Sequence, residues 1–151
     1  MNNLFQIRKA VVSDFDDLNV LMNSLGYEID QSQIRTRNEI FKSILNNVYQ
    51  DIFVMCETRE KKIHAMVSYS VLPQLRLSGL KMEIDELVVS PESRGKGYGG
   101  ELIRFVIVKA KELGVKKIII SSNSERESYQ RSFYKKLGFS EKNSAFFDFN
   151  P

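Results

Sequence analysis

The chain has 151 residues, enough for one domain with a sizeable core, and its 42% hydrophobic and 27% charged residues with a net charge of +3 are ordinary for a globular protein. No run approaches the roughly eighteen apolar residues of a membrane span, and the opening MNNLFQIRKAVVSD has no basic region followed by a long apolar core, so neither a membrane protein nor a signal peptide is expected. One cysteine and one histidine exclude an internal disulfide, leave too few ligands for an ordinary zinc site, and fit a reducing cytoplasm.

FQIRKAV reads as a first strand. SDFDDLNVLMNSLG follows as a helix, with Phe15, Leu18, Leu21, Met22 and Leu25 at helical spacing and Gly26 as its stop. SQIRTRNEIFKSILNN makes a second amphipathic helix through Ile34, Ile40, Phe41, Ile44 and Leu45. DIFVMCET and IHAMVSYSVL, joined by REKK, form a hairpin, in which Cys56 reads as a small core residue and His64 as a partly exposed strand residue. LKMEIDELVVS is a further antiparallel strand, and a glycine loop leads into the helix GELIRFVIVKAKELG. A strand in VKKIIISS, a helix over SYQRSFYKKLG and a terminal strand pair in FSEK and AFFDFN complete the chain. The expected order is β-α-α-β-β-β-α-β-α-β-β. That is a single α+β domain over 1–151, with a mixed, mostly antiparallel sheet flanked by helices.

Residues 91–151 carry twelve Lys/Arg against seven Asp/Glu, whereas residues 1–90 carry ten against twelve. The positive excess therefore lies with the glycine loop SPESRGKGYGGELI, which suits a phosphorylated ligand or a merely solvated basic face. A Walker A loop fails because Gly97, not Ser or Thr, follows Lys96. A dinucleotide fingerprint fails because PESR separates strand from glycine and the preceding strands are antiparallel. What remains is a flexible backbone at Gly95, Gly97, Gly99 and Gly100 that opens a helix, where free N–H groups and the helix dipole favour an anion such as a pyrophosphate.

The stretch ELVVSPESRGKGYGGELI resembles the acyl-CoA signature of the GCN5-related N-acetyltransferase (GNAT) superfamily, Arg/Gln-x-x-Gly-x-Gly/Ala, met by Arg94, Gly97 and Gly99. SFYKKLGF resembles the family's aromatic-Tyr-x-x-x-Gly-Phe segment, with Tyr134, Gly138 and Phe139 in register. The resemblance implies a GNAT-like fold and acetyl-CoA as co-substrate. Backbone groups of Leu87, Val88 and Val89 would pair with the pantetheine arm. The loop Arg94, Gly95, Lys96, Gly97, Tyr98, Gly99 and Gly100 would hold the pyrophosphate, and Asn123 would reach the pantetheine. Glu127 and Gln130 stand where the family often has an Asn and a small residue.

Acyl transfer to an amine needs a proton acceptor, because a primary amine of pKa near 10 is only about 0.1% neutral at pH 7. By the two-residue strand period Glu83 and Asp85 share a face with Leu87 and Val89, and Glu86 faces the other way. The resemblance places the family's usual base at Glu83. Asp85 could act instead, directly or through water. Tyr134 is the candidate acid for the leaving thiolate, and lies off the apolar stripe Tyr129, Phe133 and Leu137 of its helix. The reading is an N-acetyltransferase that moves acetyl from acetyl-CoA directly to a primary amine, with a small-molecule acceptor favoured by Glu28 and Asp30 between the first helices. A protein or peptide amine acceptor and a non-catalytic acyl-CoA-binding regulatory module are the alternatives. No metal, nucleic acid or membrane partner is expected, a homodimer is left open, and the expected compartment is the cytoplasm.

Overall fold

Strands of β-branched and aromatic residues build a five-stranded sheet in the order β1-β2-β3-β4-β5. They are β1 Phe5–Lys9, β2 Gln50–Glu57, β3 Ile63–Gln74, β4 Gly79–Val89 and β5 Lys117–Ile120. The first four are antiparallel neighbours, and β5 runs parallel to β4. The computed structural model describes residues 4–151. It contains two units, one ending at Ser121 and one running Ser122–Pro151.

Within the first unit, helices α1 Phe15–Ser24 and α2 Gln31–Leu45 bury an apolar stripe on one sheet face. Phe15, Leu18, Leu21 and Phe41 pack there with Ile52, Val54, Cys56, Met66 and Val88. Helix α3 Tyr98–Glu112 lies against β3 and β4 with Leu102, Ile103 and Val106 wholly buried, and its Phe105 meets Phe53 at 4.7 Å. Each such side chain contributes about 1.5–3 kcal/mol by leaving water. Gly26 takes φ +98 just past α1, as a helix stop requires. Asp30 accepts from the Gln33 amide at 3.1 Å while Gln33 Oε1 accepts from the Asp30 amide at 3.2 Å, so this carboxylate caps α2.

Two register shifts break the regular pleat. Met55 faces Ala65 and Cys56 faces Ile63, which leaves His64 as an extra residue in β3. Ser68 faces Glu86 and Tyr69 faces Ile84, which leaves Asp85 as an extra residue in β4. Each is a β-bulge, a device that re-aims a side chain.

In the second unit the expected last helix is broken. Helices α4 Glu127–Gln130 and α5 Phe133–Lys136 are four residues each, with Ser132 between them at φ +55. Tyr129, Phe133 and Leu137 therefore do not form one helical stripe. Tyr129 instead donates its hydroxyl to Glu141 at 2.5 Å. The α+β class stands, but the terminal strand pair does not form: residues 139–151 carry no strand, and Phe146, Phe147 and Phe149 are 82%, 89% and 86% exposed. Alternating aromatics favour a strand only where an edge offers hydrogen bonds, and none pairs with them among the described residues. Among those residues no helix is long and apolar enough to cross a membrane.

Candidate active site

The bulge at Asp85 rearranges the carboxylates that strand alternation assigns. Leu87 and Val89 pair with Val67 and Ala65, on the same face as Met82 and Ile84. Glu83 and Glu86 pair with Ser70 and Ser68, on the face that α1 covers with Met66 and Val88. Glu83 thus does not share a face with Leu87, and Glu86 joins it instead of opposing it. Asp85, on the bulge, accepts from Ser70 Oγ at 3.3 Å and so reaches the same face. Three carboxylates converge there, where period-two reasoning finds two.

Their surroundings differ. Glu83 Oε2 lies 3.0 Å from Lys81 Nζ. Glu86 is half-buried: its amide donates to Ser68 Oγ at 3.1 Å, and that hydroxyl donates back to its carboxylate. Burial raises the Glu86 pKa and the charge of Asp85 adds to the rise. Desolvation of the Asp85 carboxyl likewise raises its pKa; the Ser70 hydroxyl pulls it down, Glu83 pushes it up, and Lys81 opposes. A carboxylate moved upward from its ordinary value is a better proton acceptor near neutrality.

β4 pairs with β5 only from Lys81 to Ile84, whereas it stays paired with β3 as far as Val89. From Asp85 to Val89 one edge of β4 carries no strand among the described residues, and an extended ligand could lie along it as another strand would. Leu87, Val88 and Val89 form this edge, where Val89 O accepts from Arg94 Nε at 3.4 Å.

After β4, the turn Pro91–Ser93 feeds the glycine loop. Gly95 and Gly97 have φ +78 and +86, and a Cβ at either would meet open space. The amides of Gly95, Lys96, Gly97, Tyr98, Gly99 and Gly100 have no acceptor among the described residues, while Glu101 makes the first helical bond, to Gly97 O at 3.1 Å. Six successive amides at the positive end of a fifteen-residue helix, with exposed Arg94 and Lys96 beside them, are an arrangement that favours an anion and could hold a diphosphate. Gly97→Ala is expected to weaken CoA binding at least tenfold, about 1.4 kcal/mol, and to cost about 1–2 kcal/mol of stability through its φ. Gly114→Ala carries similar strain at φ +69 beyond the far end of α3 and should leave affinity unchanged. Calorimetry on both folded variants separates strain from ligand contact.

Two sequence candidates lie in the second unit. Asn123 Oδ1 accepts from the Glu125 amide at 2.9 Å and its carbonyl from Arg126, so it shapes the turn before α4. Tyr134 is half-buried between Phe133 at 4.9 Å and Phe139 at 6.1 Å, and its hydroxyl makes no hydrogen bond among the described residues. Burial raises its pKa, opposed by the charge of Arg126, so the hydroxyl keeps its proton at neutral pH.

His64, read from sequence as a partly exposed strand residue, is 5% exposed and bonded through both ring nitrogens. Its partner Glu57 stands 7 positions back, across the hairpin, and its partner Ser93 lies 29 positions on, where no local pattern points to it. Cys56, wholly buried, faces Ile63, in the apolar cluster under α1 and α2.

The Acetyltransferase (GNAT) family model matches residues 20–139. A glucosamine 6-phosphate N-acetyltransferase from Arabidopsis thaliana is 30% identical over 98% of this chain and 100% of its own length. A crystal structure of glucosamine-6-phosphate N-acetyltransferase from Arabidopsis thaliana superposes with a TM-score of 0.76 at 27% identity, over 96% of this chain and 97% of that one. A Clostridium acetobutylicum structure described as an acetyltransferase with acetyl-CoA also has a TM-score of 0.76, at 22% identity over 97% and 96% of the two chains. Sheet order, glycine loop and these matches define one class: the chain belongs to the GNAT acetyltransferase family and is an acyltransferase.

Proposed function

We propose that this protein transfers an acetyl group from acetyl-CoA directly to the primary amine of a small molecule. The observation that carries the reading is the continuity of three features along one stretch of chain. The carboxylates Glu83, Asp85 and Glu86 lead into the unpaired edge Asp85–Val89, which leads into the free amides Gly95–Gly100. The acceptor class is supported by the plant relative, named for acetylating an amino sugar phosphate.

In this reading the pantetheine lies along Leu87–Val89 and the diphosphate meets the loop, assisted by Arg94 and Lys96. The acceptor nitrogen attacks the thioester carbonyl, the C–N bond forms, and the C–S bond breaks. Asp85 takes the proton that the nitrogen sheds, directly or through water, with Glu83 and Lys81 setting its charge environment. By the family motif Tyr134 is the candidate proton donor to the departing thiolate, and its raised pKa suits that role because the hydroxyl is protonated at pH 7. A cytoplasmic setting belongs to the same proposal and rests on the single, buried Cys56.

Thiol release from acetyl-CoA with a panel of amines, glucosamine 6-phosphate among them, tests the reading. Amine-dependent release is expected, and Tyr134→Phe should lower turnover about tenfold or more while CoA affinity holds, because only one oxygen is removed. Tight CoA binding with no release to any small amine, peptide or protein would leave an acyl-CoA-binding module. Wild-type turnover in Tyr134→Phe, where chemistry limits the rate, would make this residue a packing aromatic.

A further inference from the structure

His64 has a role that neither catalysis nor core packing uses. The bulge frees it from pairing with β2 and turns its ring toward the start of α3. There Nδ1 lies 2.7 Å from Ser93 Oγ and Nε2 lies 2.8 Å from Glu57 Oε1. The neutral tautomer that satisfies both has Nε2–H donating to Glu57 and Nδ1 accepting from the Ser93 hydroxyl. The order Ser–His–Glu is that of a nucleophilic triad, but Ser93 is 0% exposed and no acyl group can reach it.

What the cluster does is join pieces of chain. The His64 carbonyl accepts from the Ser90 amide at 2.8 Å, so one residue ties both ends of the turn from Ser90 to Ser93, by backbone and by ring. The same ring packs at 5.8 Å from Tyr98, the first residue of α3, and at 5.6 Å from Phe5 of β1. Between Ser93 and Tyr98 lie Arg94, Gly95, Lys96 and Gly97, all exposed, with two glycines at positive φ. Glycine gives this segment backbone freedom in the unfolded chain that other residues lack, and His64 contacts the residues on either side of it. A ligand binding a loop already fixed at both ends does not have to order it.

We infer that His64 is a positioning residue for the anion-binding loop. Through Ser93 and Tyr98 it fixes the direction of the Gly95–Gly100 amides and so sets the affinity for the diphosphate of acyl-CoA. The inference rests on the acyl-CoA reading of the loop, and the test separates the two. Calorimetry with CoA is run on the wild type, His64→Leu, His64→Gln, Ser93→Ala and Val54→Ala, each checked by its melting curve. Val54 is wholly buried on the sheet face under α1 and α2, so its variant loses stability without touching the loop.

Wild-type protein that binds no CoA would overturn the cradle reading and this inference with it. Given wild-type binding, His64→Leu is expected to weaken CoA at least tenfold and Ser93→Ala about threefold. His64→Gln, whose amide can donate to Glu57 and accept from Ser93, should stay within about threefold of wild type. Val54→Ala should bind as the wild type does. Unchanged affinity in folded His64→Leu, or in Ser93→Ala should His64→Leu not fold, would overturn the positioning role. So would an equal loss of affinity in Val54→Ala, because general loosening would then explain it.

Discussion

Asp85→Asn is expected to lower turnover at pH 7 by 10²-fold or more, about 2.7 kcal/mol of barrier, with CoA affinity unchanged. Asparagine keeps the size of the side chain and can still accept from Ser70, but it cannot take a proton. Glu83→Gln should act differently. It removes a negative charge that helps hold the Asp85 pKa up, so that pKa should fall. The acid limb of the kcat/KM profile should then move to lower pH, and turnover at neutrality should drop, by less than in Asp85→Asn, because the remaining base is weaker. Asp85 is favoured over the motif position Glu83 because Lys81 pairs with one Glu83 oxygen at 3.0 Å, whereas the hydrogen-bond partner of the Asp85 carboxylate is a hydroxyl, Ser70 Oγ at 3.3 Å. An inactive Glu83→Gln beside an active Asp85→Asn would restore Glu83 as the base. Full activity in both would remove the carboxylates from the chemistry.

The largest expected effect on stability lies away from the site. Asp14, 6% exposed, accepts from Arg8 Nη1 at 2.7 Å and Nη2 at 2.9 Å and from the Val11 amide at 2.8 Å. It holds β1 to the start of α1. Asp14→Ala leaves the Val11 amide without its acceptor and strips the Arg8 guanidinium of its carboxylate, with Nη1 still donating to the Lys9 carbonyl at 3.1 Å, and should cost about 3 kcal/mol, the lower end for buried pairs because Arg8 stays partly wetted. For a chain of this size that is a melting-temperature loss of roughly 6–12 °C. Burial alone would raise the Asp14 pKa, but the hydrogen bonds from Arg8 and Val11 and the charge of Arg8 together bring it below the ordinary carboxylate value. A depressed folded-state pKa stabilises the fold above the unfolded pKa, and the gain is lost as pH falls through the folded one. Wild-type protein should therefore lose this increment on acidification, and Asp14→Ala should show a flatter acid dependence. Equal melting temperatures at pH 7 would show that the pair contributes nothing.

The amino-acid sequence by itself determined the strand and helix order up to the fifth strand, and the glycine loop before α3. Both depend on short-range rules. Apolar spacing of 3.6 or 2 marks an element, and a backbone at φ +78 and +86 demands glycine at 95 and 97 whatever surrounds it. Arg94, Gly97 and Gly99 were legible as a family signature for the same reason, because the motif is contiguous. Only the tertiary structure decided which face Glu83, Asp85 and Glu86 share. A bulge is a mismatch between two strands, and β4 carries no local mark of the pairing with Ser68 and Tyr69 that makes Asp85 the extra residue. His64 is the parallel case. Its partner Ser93 is 29 positions away, so its burial and its place under the loop come from the fold. The carboxyl-terminal segment shows the opposite limit. Alternating aromatics in AFFDFN were strand-like in sequence, yet a strand exists only where another edge completes its hydrogen bonds, and residues 139–151 form none.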